Sequence, residues 1–321
     1  MSLALVHLVR KTNGVEPFRA FLESYEAVPA GADHDLVLLL KGFESERDAH
    51  DYVARAGANP VAKLLVPDEG FDVGAYFTAA ERLEHERISF VNSFTSVRVP
   101  GWLGALDAAA REAGGGLAGA TASCASHWSW LRYELGLPSV YAQIFTSRAA
   151  ALEQMVQLAQ AQGALIRRRT RAPLWRWLGA ASRSPAFARN HDEFPAHHIR
   201  TNGFLLETAV MRSLAHGRIR TKVDAYRLEG GARSITRQVE ALGLAAVVAG
   251  ADGRVYGRDA WAESRTFWQG DQENRLLDDN QTRVYDGADA MLREFLTRFA
   301  WGEAASPSPA GAASMARKLV S

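Results

Sequence analysis

Short apolar runs alternate with amphipathic patterns through the first 120 residues of the chain. Short, mostly apolar runs predict buried strands at 3–9, 36–40, 61–66, 88–91 and 117–121. Between these runs, apolar side chains recur every three or four residues, which predicts helices at 18–25, 45–56, 73–84 and 101–113. Strands separated by single helices imply right-handed crossovers. We therefore predict an α/β fold with a mostly parallel sheet flanked by helices.

The second half of the chain follows a different pattern. Apolar side chains at helical spacing predict helices at 152–159 and 288–301. Ser234 is predicted to begin a short helix, and the dipeptide Asp252-Gly253 is predicted to turn a β-hairpin. Because regular alternation of strands and helices is missing here, this half is set apart from the first.

These patterns favour a division of the chain into 1–125, 126–302 and a small-residue tail, 303–321, which is predicted to be disordered. Within the second part, the segment 167–189 contains seven arginines, two tryptophans and no acidic residue. This basic segment is either a solvated surface loop whose tryptophans pack into the core, or a docking surface. The docking surface would suit an anionic membrane or a lipid-linked, phosphate-bearing substrate.

Composition and charge narrow the class of protein. Of 321 residues, 47% are hydrophobic and 23% are charged, as in ordinary globular proteins. The 37 basic and 36 acidic residues nearly cancel, so no nucleic-acid partner is predicted. Cys124 is the only cysteine, which excludes a disulfide framework and favours a reducing cytoplasm. The short apolar run near the start predicts no signal peptide, and no run of about 18 apolar residues predicts a membrane span.

Residues just after the predicted strands are the candidates for ligand binding, because open α/β sheets bind ligands at the carboxyl ends of their strands. These residues are 7–13, 41–43, 67–72 and 92–95. The first of these loops contains neither G-x-G-x-x-G nor G-x-x-x-x-G-K. The usual phosphate cradles of NAD enzymes and P-loop ATPases are therefore not predicted.

The stretch 61–103 carries a family resemblance. A strand is followed by Asp68-x-Gly70 and a helix, and the next strand ends in the triplet Asn92-Ser93-Phe94. This order resembles the nucleotide-sugar half of GT-A glycosyltransferases of the family 2 and rhamnan-synthesis type, from bacterial polysaccharide biosynthesis. The resemblance implies a GT-A-like, Rossmann-like sheet. It also implies that 1–125 binds a nucleotide sugar and that 126–302 forms an acceptor-side extension.

The chain departs from that family where a metal is expected. In the family, an Asp-x-Asp triplet holds Mg²⁺ or Mn²⁺ against the two phosphates, whereas Asn92-Ser93-Phe94 offers no carboxylate here. Either another acid such as Asp72 helps to hold Mg²⁺ or Mn²⁺, or lysine and arginine neutralise the diphosphate without metal. The metal ligands therefore stay unknown.

Donor binding is predicted at the strand ends and at two cations that follow. The predicted donor-binding residues are Arg10, Lys41, Asp68, Asp72, Asn92, Ser93, Arg200 and Lys222. Lys41 stands where the family usually has an aspartate that faces the nucleotide base. Asp72 has a second interpretation, as the N-cap of the helix at 73–84.

Acceptor binding is predicted in two polar segments, 194–207 and 261–288, of which the first resembles a segment of the same family. The predicted acceptor-binding residues are His197, His198, Asn202, Trp261, Asp279 and Asn280. Adjacent histidines on a strand face opposite sides, so a shared metal site is not predicted. The alternatives are a pair of partly exposed loop histidines, and a surface loop at 261–288 packed by its own aromatic side chains.

Glu229 is the predicted catalytic base. The family places an acid at the start of a helix beneath the acceptor, and Glu229, followed by two glycines, matches that position best. Asp224 is the second candidate for the base. Glu229 has an alternative role in an ion pair with Arg227 or Arg233.

The resemblance implies an enzyme that moves a sugar from a nucleoside diphosphate to a glycan or lipid-linked acceptor, with inversion at the sugar. The alternative function is a catalytically inactive sugar-binding or scaffold subunit of a polysaccharide assembly complex, which the missing Asp-x-Asp favours. The cytoplasm is the expected location. If 167–189 is a docking surface, the expected location is the inner face of the membrane.

Overall fold

The computed structural model describes residues 2–56, 62–162, 185 and 187–303. Nearly all of 167–189 and of 303–321 lies outside these residues, so the predictions for the basic segment and the tail stay predictions. Among the described residues, no helix combines the length and the apolar composition needed to cross a membrane.

Strands and helices occupy most of the described chain. The strands are β1 (Leu3–Arg10), β2 (Asp35–Lys41), β3 (Ala62–Val66), β4 (Arg87–Val91), β5 (Ser96–Val97), β6 (Leu117–Gly119), β7 (Ala122–Ser123), β8 (His198–Ile199), β9 (Phe204–Glu207), β10 (Ala246–Ala249), β11 (Val255–Tyr256) and β12 (Leu277–Asp278). The helices are α1 (Glu16–Ala27), α2 (Glu46–Ala56), α3 (Phe71–Arg82), α4 (Trp102–Glu112), α5 (His127–Leu135), α6 (Tyr141–Ile144), α7 (Arg148–Ala161), α8 (Thr208–Ser213), α9 (Lys222–Glu229), α10 (Ile235–Ala241), α11 (Asn280–Gly287) and α12 (Ala290–Trp301).

Eight of the described strands form one sheet in the order β3-β2-β1-β4-β9-β6-β10-β11. Strands β1 to β4 are parallel, β9 runs antiparallel to both β4 and β6, and β11 runs antiparallel to β10. The predicted α/β fold with a mostly parallel sheet flanked by helices is confirmed, and it is consistent with a GT-A-like, Rossmann-type arrangement. Strands β9 and β10, which follow residue 125, lie in the same sheet as β1. The division at 125 therefore stays a prediction about which part of the chain binds the donor and which part binds the acceptor.

Strand β1 runs through the middle of the core, which explains its nearly continuous apolar sequence. Alternate side chains face opposite sides of a strand. Val6 therefore packs in the layer that contains Tyr76 of α3, and Leu5 packs in the layer that contains Phe21 of α1 and Trp102 of α4. All of these side chains are fully buried.

The parallel strands bring their carboxyl ends to one edge of the sheet. In the strand register, Arg10 at the end of β1 lies beside Lys41 at the end of β2, and Lys41 lies beside Val66 at the end of β3. This edge therefore collects the polar residues that follow three separate apolar runs.

The second half agrees with the prediction in three local features. Ser234 caps α10, and Gly253 lies in the turn of the hairpin β10–β11 with a φ of 77°. The predicted helix at 288–301 is α12, which begins at Ala290 and ends at Trp301. It begins there because Asp289 has extended backbone and accepts a hydrogen bond from the Leu292 amide at 2.8 Å.

Candidate functional site

Six charged residues gather at the carboxyl edge of the sheet. This charged cluster consists of Arg10, Lys41, Asp68, Asp72, Lys222 and Glu229. Its first contact joins β1 to the loop after β3, where the Arg10 guanidinium donates to both oxygens of Asp68 at 2.8 and 3.0 Å. The bidentate hydrogen bond raises the pKa of Arg10 and lowers the pKa of the Asp68 carboxyl. With 40% and 34% of their side chains exposed, both partners remain accessible from solvent.

A glycine allows the loop after β3 to approach the end of β2. Gly42 has a φ of 76°, and a Cβ atom there would lie 3.2 Å from the Cβ atom of Asp68. A larger residue would therefore combine a strained backbone with a tight contact.

Lys41 is the buried member of the charged cluster, with a residue exposure of only 1%. Among the described residues, its ammonium donates a hydrogen bond to the backbone carbonyl of Phe71. Burial lowers the pKa of Lys41, while the nearby carboxylates of Asp72 and Asp68 act in the opposite direction. Because Lys41 is this deeply buried, its ammonium acts on the sheet edge through its positive charge.

Phe71 adopts an unusual backbone conformation at the start of α3. Its φ is 55°, directly after Gly70 with a φ of 73°. Non-glycine residues rarely occupy this region, and strained positions of this kind concentrate at functional sites. The conformation directs the Phe71 carbonyl to Lys41 and leaves its ring 5.3 Å from the Lys222 ammonium.

Asp72 lies in the first turn of α3, where a negative charge is favoured by the helix dipole. The residue before the helix is Gly70, so the interpretation of Asp72 as the N-cap is wrong. The half-buried carboxylate of Asp72 interacts electrostatically with Lys41, Arg10 and Glu229. Its predicted donor-binding role stays a prediction.

Lys222 and Glu229 are the first and last residues of α9, and their spacing of seven places them on one face of the helix. The Lys222 ammonium lies 3.8 Å from Oε1 of Glu229 and 4.7 Å from the centre of the Tyr226 ring. Together with the contact to Phe71, these distances place Lys222 between α9 and α3. Lys222 therefore connects Glu229 to the carboxyl ends of the strands.

Glu229 has the features of a proton acceptor. Burial raises the pKa of its carboxyl, Lys222 opposes that effect, and Asp72 adds to it. Its side chain is 24% exposed, so a substrate can reach it. The predicted ion pair with Arg227 or Arg233 is wrong because the partner is Lys222. The predicted position at a helix start is also wrong, since Glu229 ends α9.

Asp224, the second candidate for the base, has a structural role instead. One of its oxygens accepts from the Arg220 amide at 3.0 Å and from the Thr221 amide and hydroxyl at 2.8 and 2.9 Å. Burial alone would raise the pKa of this carboxyl, but these hydrogen bonds hold it below its usual value. Asp224 thus completes the capping box of α9 and is not a free base.

A second group of polar residues lies at the same sheet edge but turns inward. This buried network consists of Asn92, Thr95, Arg200, Asn202 and Asp279. Oδ1 of Asn202 accepts from the Asn92 amide at 2.9 Å and from the Thr95 hydroxyl at 2.8 Å. Oδ1 of Asn92 in turn accepts from the Phe94 amide at 2.9 Å and from Thr95 at 3.2 Å. The network therefore fixes the loop after β4.

Arg200 and Asp279 complete the buried network. Nη2 of Arg200 donates to Oδ2 of Asp279 at 2.8 Å, and only 11% and 1% of the two side chains are exposed. The guanidinium also stacks 3.9 Å from the ring of Phe267. Burial alone would raise the pKa of the Asp279 carboxyl, but the charge of Arg200 and a hydrogen bond from the Thr282 amide hold it below its usual value.

The triplet Asn92-Ser93-Phe94 does not fit a divalent cation. Both hydrogen bonds described above occupy Oδ1 of Asn92, the Ser93 hydroxyl donates to the Leu8 carbonyl at 2.9 Å, and Phe94 has no ligand atom in its side chain. Across the described residues, no group of three or more His, Cys, Asp or Glu side chains is arranged to hold a metal. Ser93 does line a narrow crevice beside the end of β1 with Arg10 and Asn13.

The structure corrects several predicted ligand-binding residues. Trp261 is fully buried and its indole donates to the Tyr256 carbonyl at 3.1 Å, so it offers no face to an acceptor. The buried network also engages the polar groups of Arg200, Asn202 and Asp279 in its own hydrogen bonds. These three side chains therefore do not present free groups to a donor or acceptor. The segment 261–288 is therefore packed into the core around Trp261. Asn280 is half-buried at the first position of α11 and stays a predicted acceptor-binding residue.

His197 and His198 face different neighbours. Nδ1 of His198 lies 2.7 Å from the Ala196 carbonyl, and a Cβ atom on Gly230 would lie 2.9 Å from its ring. Burial lowers the pKa of His198 to about 4, so this ring is neutral near pH 7. His197 instead lies 3.5 Å from Nη2 of Arg258. His198 thus lies against Gly230, the residue that follows Glu229. The acceptor-binding roles of both histidines stay predictions.

Three aromatic residues at the site were not predicted. Phe71 and Tyr226 support Lys222, and Tyr76 has a buried hydroxyl without a hydrogen-bond partner among the described residues. The helical spacing contained the signal for two of them. Tyr226 lies four residues after Lys222, and Tyr76 lies four residues after Asp72, so each shares a helix face with a charged residue of the cluster.

Comparisons with known proteins find only partial similarity. No protein-family model matches the chain, and no curated protein matches it. Part of the fold is similar to the crystal structure of S. aureus TarS, with 11% identity and a TM-score of 0.28 over 37% of this chain and 21% of that chain. A part is also similar to the apo structure of the WbbM bifunctional glycosyltransferase, with 16% identity and a TM-score of 0.26 over 37% of this chain and 22% of that chain. The aligned part spans about a fifth of each neighbour, which is too little to carry a functional assignment.

Proposed function

We propose that this protein is a glycosyltransferase that moves a sugar from a nucleoside diphosphate to a glycan or lipid-linked acceptor. The observation that carries the proposal is the charged cluster at the carboxyl edge of the sheet. In it Glu229, a half-buried carboxylate with a raised pKa, lies beside the Lys222 ammonium and near Asp72, and Asp72 in turn is near Lys41 and Arg10. Two lysines and an arginine suit a diphosphate, and a carboxylate suits the acceptor hydroxyl.

The proposed reaction is a single displacement with inversion. Glu229 accepts the proton of the acceptor hydroxyl as the acceptor oxygen bonds to the anomeric carbon. The bond from that carbon to the diphosphate oxygen breaks, and the nucleoside diphosphate leaves with the electron pair. Burial makes Glu229 a stronger base than an exposed glutamate, while Lys222 favours its ionised form before the proton arrives.

A catalytically inactive sugar-binding or scaffold subunit is the second candidate function. The observation that favours it is the inward-facing triplet after β4, which has no carboxylate. A scaffold needs no proton acceptor, so the two candidates differ in what they expect of Glu229.

Release of nucleoside diphosphate tests the proposal. We would supply UDP-, GDP- and dTDP-sugars together with a polysaccharide or lipid fraction as acceptor, and measure the diphosphate released. We expect turnover with one donor class, and a decrease of roughly 100-fold or more in the Glu229→Gln variant, because an amide cannot accept the proton.

The exposed Glu153 on α7 provides a matched control, and Glu153→Gln is expected to leave turnover unchanged. Binding of a donor without any release of diphosphate would favour the scaffold. Equal turnover in wild type and Glu229→Gln would remove Glu229 as the base.

A further inference from the structure

We infer that the leaving diphosphate is stabilised by the lysines of the charged cluster, chiefly Lys222, and not by a divalent cation. This inference rests on the proposed function and adds a statement about its chemistry: donor binding is independent of metal. The argument has three steps, concerning the loop after β4, the carboxylates of the cluster, and the position of the Lys222 ammonium.

The loop after β4, residues 92–95, offers no carboxylate, and its polar side chains are engaged in hydrogen bonds within the protein. Its polar side chains bond to the backbone and to the buried network, so that Asn92 and Ser93 hold the loop in place. The exposed side chain of the triplet is Phe94, at 36% exposure. A hard cation such as Mg²⁺ needs several oxygen ligands, and this loop would have to break its own hydrogen bonds to supply them.

The carboxylates of the charged cluster are placed beside fixed positive charges. Asp68 is bound through both oxygens to Arg10. Asp72 lies within the electrostatic reach of both Arg10 and Lys41. A divalent cation at Asp72 would therefore be repelled by a guanidinium and by a buried ammonium, whereas a diphosphate would be attracted by both.

Lys222 is held in a way that leaves its donors available. Two aromatic rings lie against the ammonium, Tyr226 at 4.7 Å and Phe71 at 5.3 Å. The face of an aromatic ring attracts the positive charge without occupying an N–H donor in a hydrogen bond. The nearest carboxylate oxygen, on Glu229, is 3.8 Å away, beyond hydrogen-bond distance. With its side chain 51% exposed, Lys222 can donate to phosphate oxygens. Lys41, buried beneath the sheet edge, adds a second ammonium.

Binding of free nucleoside diphosphates separates this inference from the proposed function. We would measure the dissociation constants of UDP, GDP and dTDP by calorimetry, once with EDTA and once with Mn²⁺ or Mg²⁺. We expect one of them to bind equally tightly under both conditions. In the Lys222→Met variant, which keeps the stem that packs on Phe71 and Tyr226, we expect binding to weaken roughly 10-fold or more, because a charge-assisted hydrogen bond is lost.

Two controls complete the experiment. Lys222→Arg should retain most of the affinity, and Lys63→Met, which removes an exposed lysine of β3, should leave it unchanged. The parent nucleoside without phosphates should bind wild type and Lys222→Met equally, which shows that the variant is folded and has lost only the phosphate contact.

Each result decides the matter. Binding that requires Mn²⁺ or Mg²⁺, or equal diphosphate affinity in wild type and Lys222→Met, would overturn the inference and leave the proposed function standing. If none of the diphosphates binds under any condition, the proposed function fails and the inference fails with it.

Discussion

Two arginine–carboxylate pairs lie at the carboxyl edge of the same sheet, and they differ mainly in burial. Arg10 and Asp68 meet at 2.8 Å with 40% and 34% of their side chains exposed, whereas Arg200 and Asp279 meet at 2.8 Å with 11% and 1% exposed. The exposed pair can exchange its contacts for those of a ligand at little cost. The buried pair cannot, because separation would leave a charge without solvent or partner.

The same contrast holds for the groups to which the pairs belong. In the charged cluster, Lys222 keeps free donors. In the buried network, the side-chain oxygen of Asn202 accepts two hydrogen bonds and the Asp279 carboxylate accepts bonds from Arg200 and from backbone amides. A polar motif at a strand end therefore either binds a ligand or stabilises the fold. The two roles differ in how many of its polar groups are already hydrogen-bonded within the protein.

The largest effect on stability is expected for the buried pair. Asp279→Ala would leave Arg200 unpaired in the interior and remove the cap of α11, so we expect the free energy of unfolding to fall by about 3–5 kcal/mol. Urea denaturation of the purified variant gives this value. A loss below about 1 kcal/mol would mean that the network opens readily in solution, and the contrast between the two pairs would disappear.

A change of pH is expected to have an intermediate effect on the free energy of unfolding. The effect has opposite signs for Asp279 in the buried network and for Glu229 in the charged cluster. The pKa of Asp279 is lowered, so its stabilising contribution is present above the ordinary value of 3.8 and is lost as pH falls below it. The pKa of Glu229 is raised, so its contribution is present below the ordinary value of 4.5 and is lost as pH rises through the folded-state pKa.

Unfolding free energies of wild type, Asp279→Asn and Glu229→Gln measured across pH 3 to 8 test these signs, with a limiting slope of about 1.4 kcal/mol per pH unit for each proton. Relative to wild type, Asp279→Asn should lose most above pH 4, and Glu229→Gln should gain as the pH rises. Parallel curves for the two variants would contradict the assigned pKa directions.

The smallest effect on stability is expected for the exposed pair. Asp68→Ala removes an ion pair in contact with solvent, so the free energy of unfolding should change by at most about 1 kcal/mol. The same variant frees Arg10 and is expected to alter nucleoside diphosphate affinity. Denaturation and calorimetry on one preparation separate the two effects, and a large loss of stability without any change in affinity would assign Asp68 to the structural group.

Local sequence patterns predicted much of the fold and part of the site. The apolar runs of β1 and β2 predicted buried parallel strands, and the rule that ligands gather after such strands led to Arg10, Lys41 and Asp68. The sequence also marked Lys222 and Glu229, although it assigned Glu229 the wrong ion-pair partners and the wrong end of a helix. The partner, Lys222, lies seven residues earlier on the same helix, and its ammonium also contacts the ring of Phe71 on α3, which is far away in the chain.

The errors fall mostly on residues whose burial is set by distant parts of the chain. Trp261, Asn202 and Asp279 have the composition of a sugar-binding surface, yet all three lie inside. Nothing in the local sequence distinguishes an asparagine that binds a sugar hydroxyl from one that accepts from the amide of a residue 110 positions away. The hydrogen-bonding capacity of the side chain is the same in both cases.

The sequence by itself determined the elements and their class, because hydrophobic periodicity and turn residues act over a few neighbouring positions. It also determined which strand ends carry charge. Only the tertiary structure decided which of those charges face a ligand and which face each other, since burial and partner geometry arise when β9 inserts between β4 and β6 and α9 packs on α3. The electrostatic energy of a charge depends on its surroundings far more than on its identity, and those surroundings exist only in the folded chain.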